Sequence, residues 1–141
     1  MTTDHSPGAV GGVRTMLRIE GLVLFAAALL LYAHSGASWK LFLVLILAPD
    51  LSFAFYLFGP RAGAIAYNTA HSTIGAFLLA LFSQSGIAMA GLGNASALLP
   101  IALIWFVHIG FDRALGYGLK YVSGFSDTHL GAIGRLRRSP A

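Results

Sequence analysis

Cysteine is absent from this chain, and charge is scarce: nine Lys or Arg and five Asp or Glu among 141 residues. Without cysteine there is no disulfide framework, no thiolate zinc site and no Cys nucleophile. The shortage of charge excludes a soluble globular enzyme. Soluble domains average roughly 25% charged residues, and this chain has 10%. A disordered tail is excluded as well, because disorder needs low hydrophobicity and high charge. What the chain has is apolar surface: 57% hydrophobic residues and a mean hydropathy of +0.76. The net charge of +4 and pI near 9.9 then report Lys and Arg in cytoplasmic segments of a membrane protein rather than a nucleic-acid surface.

Four apolar segments predict helices over about 17–34, 41–58, 62–83 and 97–119. A helix needs roughly 20 residues to cross a hydrocarbon core of about 30 Å. The expected fold is all-α: a polytopic membrane protein, a bundle of four transmembrane helices with a short interfacial C-terminal segment. Residues 1–13 read as a flexible tail, 14–134 as a single membrane domain and 135–141 as a basic tail. The first helix follows Arg14 and Arg18 like a secretory signal, but no small-residue cleavage site follows, so it reads as retained. Short polar turns at His34–Lys40 and Gly59–Arg61 and an uncharged loop at Ser83–Ser96 separate the spans.

Basic residues set the orientation. With four spans, one side collects Arg14, Arg18, Arg61, Arg113, Lys120, Arg135, Arg137 and Arg138, and the other has only Lys40. The bias places both termini in the cytoplasm of a cell whose inner membrane holds the protein. The membrane lipids are the first expected partner, with Arg135, Arg137 and Arg138 on anionic headgroups. The small residues Gly59, Gly63, Ala66 and Ala70 predict close helix packing within the bundle or a homo-oligomer through helix 3.

Ionisable groups inside a span cost about 2.5–3.5 kcal/mol each and mark partners or pathways. Five occur here: Glu20, Asp50, His71, His108 and Asp112. At about 1.5 Å per residue, all five fall in the cytoplasmic half. His108 and Asp112 are i, i+4 and share a helix face. Imidazole and carboxylate groups on facing helices build metal sites in four-helix bundles. Asp50, His71 and His108 are therefore the expected ligands of a divalent metal. Nitrogen and carboxylate donors suit Zn, Fe or Mn better than copper(I). Asp112 and His129 are the candidate general bases. Glu20, Tyr67, Asn68 and Ser72 are the residues expected to orient the ligands by hydrogen bonds.

Plainer readings stand beside these. His71 taken alone reads as a hydrogen-bonded intramembrane histidine, Asp112 as an ion-pair partner of Arg113, and Glu20 as a snorkelling or paired interfacial group. Asp50 differs, because it follows Pro49 inside an apolar helix with no basic neighbour, so its carboxylate needs a partner on another helix. Pro49 removes a backbone donor and kinks that helix. After helix 4, residues 112–134 are glycine-rich and read as an interfacial or re-entrant piece anchored by Tyr117, Tyr121 and Phe125. Asp127-Thr128-His129 either folds back over the polar layer or caps a short helix.

These residues carry a resemblance. Pro49-Asp50, Tyr67-Asn68-x-x-His71, Trp105-x-x-His108 through Asp112-Arg113 to Lys120-Tyr121, and Gly124-Phe125 through Thr128-His129 to Gly131 resemble the small bacterial integral-membrane family catalogued as domain of unknown function 4260. The resemblance implies a compact multi-span membrane protein and carries no activity with it.

Three function classes follow. The first is a metal-dependent intramembrane hydrolase acting on an amphiphile. The second is a proton- or ion-handling subunit using the same groups as relays; the outer half lacks ionisable residues to complete a path. The third is a structural or assembly protein whose polar layer fixes helix register.

Overall fold

The structure is a computed structural model and describes residues 8–85 and 97–133. Most of the predicted loop Ser83–Ser96 and the basic tail with Arg135, Arg137 and Arg138 lie outside the described residues.

Among the described residues the regular structure is helical apart from one isolated antiparallel bridge between Lys120 and Thr128. Helix α1 spans Gly11–His34, α2 Trp39–Leu45, a 3₁₀ helix Ala48–Phe58, α3 Pro60–His71, α4 Thr73–Ser83 and α5 Leu98–Leu115. Among the described residues three stretches are long and apolar enough to cross a membrane: α1, Trp39–Phe58 and α5. The bent pair α3–α4 makes a fourth if it is one span. Large side chains such as Leu43, Val44, Leu51 and Leu57 lie exposed on these helices. In water that would be costly, whereas facing lipid tails it is neutral. The helices mark a membrane protein.

Helix α5 is the central element. Nine consecutive or near-consecutive residues from Pro100 to Gly110 are buried, so it is apolar all round rather than striped, as a core helix must be. α1, α2 and α4 pack on it, with Ala28, Ala76, Phe106, Val107 and Ile109 forming the main core. The α1–α5 crossing is backbone on backbone. A Cβ added at Gly110 would lie 2.5 Å from the Phe25 nitrogen, and one at Gly21 would lie 2.6 Å from the Arg113 Cβ. The 3₁₀ helix and α3 form a second pair, joined through Gly63, which packs beneath the Tyr56 ring. Of the small residues predicted on the face of helix 3, Gly63 is engaged in packing inside the chain.

The predicted helix boundaries need three corrections. The second span is not one α-helix, because Pro49 has no N–H and the chain tightens to 3₁₀ geometry, with Asp50 N–H donating to Leu47 O at 3.1 Å. The third span breaks at Ser72, which is extended (φ −80°, ψ 148°), and bends by 41°. The Ala70 carbonyl there accepts the Trp105 indole N–H at 2.6 Å, the oxygen that a continuous helix would offer to Ile74. The fourth span ends at Leu115, four residues early. Gly116 takes the left-handed conformation (φ 98°), Gly116 N–H donates to Arg113 O, and Tyr117 N–H donates to Asp112 O. That pair of bonds is a Schellman stop, and Arg18 adds a third partner by donating to Ala114 O at 2.9 Å.

Residues 117–133 contain no helix. Bonds between Tyr121 N–H and Asp127 O and between His129 N–H and Leu119 O close them into a hairpin-like flap. Ala9 N–H donates to His129 O at 2.7 Å, so the start of α1 and the flap meet at the same end of the bundle.

Candidate metal centre

Four of the five predicted intramembrane ionisable residues converge. One ligand atom from each of Asp50, His71, His108 and Asp112 lies within 4.8 Å of every other. His71 Nε2 is 3.1 Å from His108 Nε2, 3.3 Å from Asp50 Oδ1 and 3.5 Å from Asp112 Oδ2. His108 Nε2 is 3.5 Å from Asp50 Oδ1 and 3.7 Å from Asp112 Oδ2.

The breaks in the helices prepare this geometry. His108 Nδ1 lies 2.7 Å from Ile46 O. In an unbroken α-helix that carbonyl would accept the Asp50 N–H, which the 3₁₀ turn has sent to Leu47 instead. His71 Nδ1 lies 2.9 Å from Tyr67 O. A carbonyl oxygen only accepts, so each Nδ1 carries the proton and donates it. In the neutral rings both Nε2 lone pairs therefore point at one locus, along with two carboxylate oxygens. His71 is also the last residue of α3, which sets the negative end of that helix dipole beside the cluster and favours a cation.

The histidines are 4% and 5% exposed, while Asp112 and Asp50 are 18% and 36% exposed at the side chain. The centre is closed on its imidazole side and opens past its carboxylates.

Tyr67 stacks on His71 with ring centroids 3.7 Å apart, and its hydroxyl donates to Asp112 Oδ2 at 3.4 Å. It thereby touches two members of the cluster. The other outer residues act elsewhere. Asn68 binds the flap: its Nδ2 donates to Lys120 O at 2.8 Å and its Oδ1 accepts Lys120 N–H at 2.7 Å. The Ser72 hydroxyl reaches Thr69 O at the helix break. Glu20 is exposed and acts electrostatically on Arg113, outside the cluster. His129 lies in the flap and is not a member of the four. Its Nδ1 accepts Leu119 N–H at 2.8 Å, and burial and the Arg113 charge push its pKa down.

Lys120, counted from the sequence only as a positive charge, is the residue that the flap brings inward. It is 4% exposed, and its ammonium donates to Phe125 O at 2.9 Å. It sits 3.8 Å from the Phe125 ring centroid, 4.8 Å from Tyr67 and 5.7 Å from Phe53, a set of cation–π contacts. Burial pushes its pKa down and the Asp112 carboxylate pulls it back. The signal in the sequence was a lysine among Tyr117, Tyr121 and Phe125; Phe125 packs on Phe53 and Tyr56 rather than serving only as a lipid anchor.

Asn68→Leu should release the flap. It leaves the Lys120 N–H and C=O without partners, at about 1–3 kcal/mol each where water cannot replace them. Hydrogen exchange should rise across residues 117–131 and stay unchanged in α5. Unchanged protection in the flap would refute the clamp.

No curated protein and no solved structure matches the chain. The family model described as "Domain of unknown function (DUF4260)" matches residues 14–133, a stretch that takes in the cluster, its orienting tyrosine and the whole described flap, and the protein belongs to that family.

Proposed function

We propose that the protein is a membrane metalloprotein in which Asp50, His71, His108 and Asp112 hold one divalent cation, and that the centre hydrolyses an amphiphilic substrate. One observation carries the metal reading: the distances among the four donor atoms. Metal–ligand bonds of about 2.0–2.2 Å give tetrahedral ligand–ligand edges of about 3.3–3.6 Å, and five of the six edges here are 3.1, 3.3, 3.5, 3.5 and 3.7 Å. Two carboxylates and two neutral imidazoles carry a charge that a single divalent cation balances. The donor set suits Zn²⁺, Fe²⁺ or Mn²⁺.

A cation held by Asp50, His71 and His108, with Asp112 giving up its corner to a water, would act as a Lewis acid and lower the pKa of that water to about 7. Asp112 is the carboxylate suited to receive the water's proton, since Tyr67 already shares its Oδ2 and its edge to His108 is the longest of the mixed edges. In ester or amide hydrolysis the water oxygen adds to the carbonyl carbon, the C–O or C–N bond breaks, and the proton held by Asp112 passes to the leaving group. His129, with Nδ1 engaged by Leu119, has no part in this reading. Hydrolysis of long-chain esters in mixed micelles, lost with a chelator and restored by Zn²⁺ or Mn²⁺, tests it. Metal-loaded protein inert on every acyl ester and amide would leave a metal centre without this chemistry.

The proposed topology has both termini and the flap in the cytoplasm of a cell with this protein in its inner membrane. Its support is the charge bias, with Arg14, Arg18, Arg61, Arg113 and Lys120 on one side and Lys40 on the other. Because native cysteine is absent, single introduced thiols read the sides directly. An impermeant maleimide on intact spheroplasts should label Ala37→Cys and spare Arg61→Cys; the reverse pattern overturns the orientation.

A further inference from the structure

Beside the cluster lies a lateral groove of about 260 Å³ lined by Leu45, Ala48, Pro49, Ala70, Ile101, Ile104 and Trp105. It touches all three ligand-bearing elements. Pro49 precedes Asp50, Ala70 precedes His71, and Ile104 lies one turn before His108 on the same face of α5. Its walls are apolar. The one polar side-chain atom among them, Trp105 Nε1, is spent on Ala70 O, which also fixes the indole as a rigid wall. Ala48 and Ala70 leave the space that larger side chains would fill. The groove runs from the cluster toward the N-terminal half of α5, away from the flap and the end where the basic residues gather. In the proposed topology that direction is toward the bilayer midplane.

We propose that this groove receives the hydrocarbon chain of a single-chain membrane amphiphile, with the oxygen-bearing head group of that molecule at the metal centre. This assignment of substrate class rests on the metal reading above. Three features select the occupant. The groove opens among candidate spans whose outer faces carry Leu43, Leu47 and Leu51 exposed, so the surrounding medium is lipid chains, not water. Its walls lie within one helical turn of Asp50, His71 and His108, so a chain lying in it brings its head group close to the donor atoms. Its volume falls below the range of about 300–1,000 Å³ usual for whole small-molecule sites, which suits a segment of one chain and not a two-chain lipid.

Trp105 makes the proposal measurable. The chain has two tryptophans, so Trp39→Phe leaves Trp105 as the sole emitter. The probe is dibromostearate, whose bromines quench indole fluorescence on contact and whose carboxylate ligates a metal, titrated into detergent-solubilised protein. The expected result is saturable quenching. Its apparent Kd should weaken about tenfold or more, equivalent to about 1.4 kcal/mol, after chelation, and to a similar degree in Ile101→Phe and Ala48→Leu with bound metal retained. Quenching that rises linearly with probe, or that ignores both groove-filling substitutions in metal-loaded protein, overturns the proposal. Saturable, groove-dependent quenching that ignores chelation also overturns it, because the chain site is then separate from the metal. Absence of metal from folded wild type instead defeats the underlying metal reading, whatever the quenching shows.

Discussion

One divalent cation per chain is expected in detergent-purified, untagged protein, and Asp50→Asn should remove it while leaving the fold in place. The asparagine keeps the shape of the side chain but takes away one of the two negative charges that balance the cation. His71→Ala and His108→Ala each delete a nitrogen donor, and all three variants should weaken the metal by at least about 100-fold, above the 10–100-fold that loss of an orienting partner costs. Tyr67→Phe is the graded member of the series. It removes only the hydroxyl at 3.4 Å from Asp112, keeps the stack on His71 and should fall within that 10–100-fold range. Elemental analysis with metal titration reads every variant. Metal removal should also lower thermal stability, since ligands gathered from the 3₁₀ helix, α3 and α5 make binding free energy part of folding free energy. Full metal occupancy in folded Asp50→Asn and His108→Ala would sink the centre. Metal-free but folded wild type, even after reloading, would do the same.

Gly110→Ala should be strongly damaging although it lies outside the cluster. The added Cβ would sit 2.5 Å from the Phe25 nitrogen and 2.9 Å from the Gly21 carbonyl oxygen. Both are backbone atoms of α1, which no rotamer change can move aside, so the helices must separate. Overpacking that shifts backbone costs about 1–3 kcal/mol or more, and here it loosens the core around Ala28, Phe106 and Ile109. Gly110 also lies between His108 and Asp112, so the shift should weaken metal as well as Tm. Gly12→Ala is the control. Nothing lies within 4 Å of a Cβ at that helical position, and alanine there should be neutral or stabilising by up to about 1 kcal/mol. Equal melting temperatures for the two variants would contradict the backbone-to-backbone crossing.

Much of the site was legible because its members violate the composition around them. A carboxylate after Pro49, a histidine in each of two apolar helices and an i, i+4 His108–Asp112 pair are costly in a membrane unless they meet, and they do meet. Their partners were less legible. Asn68 and Lys120 are 52 residues apart, and no local pattern announces that one clamps the backbone of the other. Glu20 shared the expected depth with the cluster yet is exposed and is not a member of it, because depth along a helix says nothing about rotation around it. Helix breaks were half visible. Pro49 predicted a disturbance, but the break at Ser72 depends on an indole from α5 taking the Ala70 carbonyl.

The sequence alone determined a cysteine-free, all-α membrane chain with few charges, and which ionisable residues its spans carry. Those follow from composition and segment length, since lipid offers no water to satisfy polar groups. Only the tertiary structure decided that Asp112 joins Asp50, His71 and His108 in one cluster of donor atoms, and that Lys120 rather than His129 is brought in by the flap. It also fixed the proton on Nδ1 of both histidines through the Ile46 and Tyr67 carbonyls. Rotation, register and carbonyl availability are properties of helices packed against one another, and apolar periodicity in a membrane chain is too uniform to encode them.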